Sequence, residues 1–117
     1  MTEEQVRAIA VRIYSVIRAL NNEFGKLYPA WEHAGDDQQT TFIEGVRFHL
    51  NNPDMTPKET HDWWMEDKAA KGWTYGPVKD EVAKHHPSMI PYEDLSELER
   101  GKDVVFIELC RILSSLV

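Results

Sequence analysis

The sequence predicts an all-α, mostly helical protein. It has about four helices and a long ordered loop, with room for short β pairing, between the third and the fourth. Three observations predict this. Apolar residues recur at three-and-four spacing from Val6 to Phe24, the period of one buried helix face. Two Ser/Thr-x-x-Glu stretches, Thr56–Glu59 and Ser96–Glu99, mark later helix starts. Between them, residues 73–92 lose the helical period and carry Gly76, Pro77, Pro87 and Pro91.

The first helix presents Val6, Ile9, Ala10, Ile13, Ile17, Leu20 and Phe24 as its stripe, with a capping start at Thr2 and a stop at Gly25. The link "KLYPAWEHAG" has turn chemistry, and its Trp31 is expected to pack over the helix pair. A second helix is predicted from Asp36 or Asp37 to about Asn51, with Phe42, Val46 and Leu50 on one face and Ile43 beside them; "NNPD" closes it. The third begins at Thr56-Pro57-Lys58-Glu59, a capping box with proline at the first helical position. It ends at Gly72, where Lys68 and Lys71 complement the negative end of its dipole. The last helix starts near Ser96, with Val105, Leu109, Ile112 and Leu116 as its expected stripe, widened by Val104 and Leu113.

Bulk properties exclude several classes. A chain of 117 residues is expected to form a single domain, 1–117, able to bury a core without metal or disulfide help. Its formal charge of −7 argues against duplex nucleic acid as a partner. No apolar run suggests a membrane span, and no secretion signal is legible, so a cytoplasmic location is expected. Cys110 is the only cysteine and lies in an apolar helical pattern, which reads as a small core residue. The charge is uneven: residues 56–86 are the least acidic part, and all their cations are lysines, Lys58, Lys68, Lys71, Lys79 and Lys84.

That same region concentrates aromatic side chains. "THDWWMEDKAAKGWTYGPVKDEVAKHHP" holds three of the four tryptophans and three of the five histidines. On a helix, His61 and Trp64 face the same way, with Met65 and Lys68 continuing that face, while Trp63 points about 100° off. In an extended segment after Gly72, Trp73 and Tyr75 would share one side. Gly72 and Gly76 bracket them where backbone must come close. Packing alone is the plain reading of such residues. The functional reading is a platform for a flat ring, where stacking is worth about 1–3 kcal/mol per base in nucleic-acid systems. His61, Asp80, His85 and His86 offer no paired metal-ligand spacing, so no metal and no cofactor are expected. Neither a GxSxG nor a GK-[ST] loop accompanies them, so no catalytic residue is assigned.

Residues 61–95 resemble the RyR domain, the repeat of ryanodine receptors that also occurs singly in bacterial and phage proteins. The pattern is His61-x-x-Trp64, Gly72-Trp73-x-Tyr75-Gly76, Asp80, His86-Pro87, Pro91-Tyr92 and Leu95, running on through Glu97 and Glu99. The division that follows is a helical extension over 1–55 and an RyR-like repeat over 56–117. "FIEGVRFHLNNP" is similar to the extension of small phage-type members. The resemblance implies a regulatory or ligand-binding role, since a tandem pair of such repeats can hold an adenine nucleotide in a cleft lined by tryptophans. By position it points to Trp64 and Trp73 for stacking, with Tyr75 nearby, and to His61, Asp80 and His86 as polar candidates or loop anchors. Lys68 joins them as the local cation. The leading expectation is a non-enzymatic module for an adenosine or ADP-ribose derivative, in a phage a sink for a host immune signal in the host cytoplasm. A homodimer would restore a site that lies between two repeats. The alternative is a protein-interaction module with Trp and Tyr anchors; a nucleotide hydrolase or transferase is the third reading.

Overall fold

A computed structural model describes all 117 residues. The fold is mostly helical: α1 spans Glu3–Glu23, α2 Asp36–Asn51, α3 Pro57–Ala70 and α4 Glu97–Ser114. Two-residue strands β1 (Thr74–Tyr75) and β2 (His85–His86) lie in the long connection between α3 and α4. The chain forms two compact units, Met1–Asp54 with Val105–Val117, and Met55–Val104. No helix is long and apolar enough to cross a membrane.

In the first unit, Thr2 and Gln5 exchange the two capping hydrogen bonds that start α1. Its stripe buries Val6, Ile9, Ala10, Ile13, Tyr14 and Ile17. Phe24, expected in that stripe, is instead exposed, because the helix ends at Glu23 and Gly25 turns the chain with φ +79°. Tyr14 organises the packing: its ring meets Trp31 edge-on at 5.4 Å and Phe42 at 5.2 Å, and its hydroxyl donates to the Pro29 carbonyl at 2.6 Å. Val46 of α2 is fully buried in the same core.

The C-terminal half of α4 joins this core through Cys110, with Val105, Phe106, Leu109 and Leu113 packed against it, and Ile107 is also buried. Of the expected stripe, Val105, Leu109 and Leu113 face the core, whereas Val104, Ile112 and Leu116 are exposed. Residues 104–107 are apolar on every face, so periodicity alone does not select one. Burial pushes the Cys110 thiol up to about 12, which keeps it an unreactive core residue.

In the second unit, Thr56 and Glu59 form the reciprocal capping box with Pro57 at the first helical position. At the box expected at Ser96, its Oγ accepts from the Glu99 N–H at 3.2 Å, and the Glu99 carboxylate pairs with Lys102 at 2.8 Å. The connection from 73 to 92 is ordered around parallel pairing of β1 with β2, Thr74 opposite His85 and Tyr75 opposite His86. Asp80 bridges His85 on the other side of β2.

Candidate functional site

The site grows from the end of α3. Gly72 adopts φ +88°, where a side chain would be strained. Its N–H donates to the Ala69 carbonyl, and the Trp73 N–H reaches back to the Lys68 carbonyl, both at 3.0 Å. This is the paired closure of a Schellman motif. It fixes Trp73 one turn above Lys68, and the Lys68 ammonium lies over the Trp73 ring at 4.8 Å. Both side chains are buried, Trp73 at 5% and Lys68 at 8% exposure.

Gly76 holds the next constraint. A Cβ there would meet the His85 Cβ at 2.5 Å, so only glycine lets β1 approach β2 this closely. That approach sets His86 against the tryptophans, 4.8 Å from Trp64 at 77° and 6.2 Å from Trp73 at 60°. His61 lies nearly parallel to Trp64 at 5.6 Å and 23°, and its Nε2 is 2.7 Å from the Ile90 carbonyl. Because a carbonyl only accepts, that nitrogen carries the proton and donates. Tyr92 closes the row, 6.1 Å from His61.

The electrostatics are set by His86. Its Nδ1 accepts from the Ser88 N–H at 3.0 Å, so in the neutral ring the proton sits on Nε2. Burial, and then the charges of Lys79, Lys68 and Lys102 against that of Glu99, lower its pKa to about 4. His86 is therefore neutral at neutral pH. In the first half of α4, burial and then the Glu99 charge push the Asp103 carboxyl up to about 7.

A family model for the RyR domain matches residues 49–113, more than half of the chain. The chain belongs to the RyR domain family. Its matched stretch contains the whole aromatic row of the second unit, so the RyR domain here is the element that assembles His61, Trp64, Lys68, Trp73 and His86 in one place.

Two residues singled out in the sequence stand apart from that row. Tyr75 is 56% exposed although Trp73 is buried, so the pair does not share a buried side; Trp73 precedes the strand and is held by the helix-end closure instead. The Asp80 carboxylate accepts from the Val82 and Ala83 N–H groups at 3.0 Å, which makes it the anchor of its own turn. Three lysines have structural duties: Lys58 pairs with Asp62 and Glu93, Lys71 with Asp67, and Lys84 donates to the Lys71 carbonyl. Sequence reasoning missed Tyr92, Glu99 and Lys102 as site neighbours, and Asp103 beside the last two. The i, i+3, i+4 spacing of the last three was the available signal.

Proposed function

We propose that this RyR-family chain is a non-enzymatic binding module for a small nucleotide-type ligand, an adenosine or ADP-ribose derivative. The observation that carries the reading is Trp64. Its indole is half-buried, backed by the stacked His61 and braced edge-on by His86. A rigid, partly open aromatic face costs little ordering entropy to use and suits a flat ring. The lysine charge around His86 supports an anionic ligand in a protein that is acidic as a whole.

In a phage, such a module would lower the free concentration of a host signal by binding alone, and the ligand would be recovered intact. Calorimetric titration of the chain with adenosine, AMP and ADP-ribose tests the proposal. At least one should bind with Kd below millimolar. Trp64→Ala should weaken it roughly ten- to hundredfold, the loss of about 1–3 kcal/mol of stacking. No heat from any of the three, with tryptophan fluorescence unmoved, would overturn it.

A specific observation favours a second reading, a protein-interaction module. Tyr75, Val78 and Val82 are exposed at 56%, 73% and 97% on one short loop region, and exposed aromatics are frequent interface anchors. One stoichiometric partner retained by the chain and lost with Tyr75→Ala would support it, a second copy of the chain included. Sedimentation at several concentrations separates that self-association from a foreign partner.

A further inference from the structure

We infer that the outer stripe of α4, Val105, Leu109, Ile112 and Leu116, is the surface on which a second copy of this chain docks, its helix running antiparallel. This stands apart from the ligand reading above.

The starting point is a helix with more apolar surface than its core takes up. The core of the first unit takes Cys110 from this helix. Ile112 stays 53% exposed and Leu116 74%. Val105 and Leu109 are only partly buried where they pack on the core, so each leaves an edge beside those two. The four positions follow one another at steps of four, three and four residues, the a/d spacing of a two-helix seam. At 3.6 residues per turn they share an arc of about 60°. The stripe reaches Leu116, although α4 ends at Ser114, because the last turn tightens. The Ser115 N–H donates to the Arg111 carbonyl at 3.3 Å and the Leu116 N–H to the Leu113 carbonyl at 3.2 Å. All four residues belong to the first unit.

Charge selects the occupant. The chain carries −7, so two copies repel over most of their surface. Residues 104–117 hold one acid, Glu108, and one base, Arg111, which sum to zero. These two pair with each other at 2.9 Å, and Arg111 also donates to the Pro53 carbonyl at 3.2 Å. The stripe is therefore apolar with its flanking charges already matched, the place where two acidic copies meet with the least repulsion.

Spacing then selects the orientation. Steps of four, three and four read the same in both directions. With one helix reversed about a twofold axis, Leu109 lies opposite Ile112 and Val105 opposite Leu116, and each contact occurs twice. Glu108 comes beside Ser115 of the other copy, so no two like charges face each other. Parallel pairing would set two negative helix ends side by side, and the reversed arrangement separates them. A seam of four layers is short, so the dimer is weak and depends on concentration.

Sedimentation equilibrium of the full chain from about 1 μM to 1 mM should show monomers giving way to dimers. Ile112→Lys and Leu116→Lys should each raise the dissociation constant roughly tenfold or more, the loss of one buried aliphatic side chain. Thermal unfolding in dilute solution should stay unchanged, because both positions are exposed. Mixing Ile112→Lys with Ile112→Glu should restore the dimer, since these positions flank the axis. Mixing Leu116→Lys with Leu116→Glu should not, since the two Leu116 positions lie about 16 Å apart along the seam; restoration there would overturn the antiparallel arrangement. A wild-type chain still monomeric at about 1 mM, whatever foreign protein it retains, would overturn the docking surface itself. So would a dimer that survives both lysine variants and is lost in Tyr75→Ala, which would move self-association to the loop of the second unit. If Ile112→Lys fails to fold, Leu116→Lys, beyond the last residue of α4, gives the same answer.

Discussion

Two residues of the RyR domain carry opposite pH signatures. Asp103, its pKa raised to about 7 by burial and by Glu99, is protonated more readily folded than unfolded. Its stabilising contribution is complete below its ordinary value of 3.8 and is lost as pH rises through about 7. His86, lowered from 6.5 to about 4 by burial and the nearby lysines, contributes stability above 6.5 that is lost as pH falls through about 4. Between about pH 4 and 6.5 the folded chain gains one proton and lacks another relative to the unfolded chain, so the two effects oppose and stability should be nearly flat. Asp103→Asn removes one side of that balance. Urea unfolding midpoints of the variant should fall as pH is lowered from 6.5 toward 4 and should exceed wild type near pH 8. An unchanged pH profile in Asp103→Asn would show that Asp103 ionises normally. At this scale His61, Trp64, Lys68, Trp73 and His86 were legible because costly aromatic and basic side chains crowd a short segment. Asp103 was not, because its chemistry comes from burial, which residue type alone does not reveal.

At the scale of elements, local chemistry decides more than periodicity. The capping box at Thr56 and the closure at Gly72 bound α3 within a residue or two of the expected limits. The stripe of α4 could not be fixed in the same way, since its apolar run offers several faces. The pairing of β1 with β2 depends on Gly76, and Gly76→Ala would drive a methyl into the His85 Cβ. The cost should be about 1–3 kcal/mol, as for other overpacked sites, with loss of the Trp64–His86 contact. Thermal unfolding and the His86 ring signals check this; an alanine variant with both unaltered would show that the strands tolerate separation. The two-residue strands themselves were visible only as room for pairing, because so short a parallel ladder leaves no alternation to read.

At the scale of the molecule, the two units draw stability from different materials. The first has an aliphatic and aromatic core, and Ile13, fully buried within it, should cost about 2–5 kcal/mol when cut to alanine. Chemical unfolding measures that loss; a change under about 1 kcal/mol would mean the site collapses around the smaller side chain. The second unit buries tryptophan, histidine and lysine around the RyR aromatic row, a composition that packs and also leaves Trp63 and Trp64 half-buried. Family membership was readable from the spaced pattern around Gly72-Trp73-x-Tyr75-Gly76, whereas the neutral state of His86 needed the fold. The proposed function depends above all on Trp64 as the stacking face. Intermolecular NOEs in the complex with AMP are the decisive measurement. Contacts between the adenine H2 or H8 protons and the Trp64 ring are expected; adenine contacts confined to other residues, with Trp64 untouched, would refute the proposal.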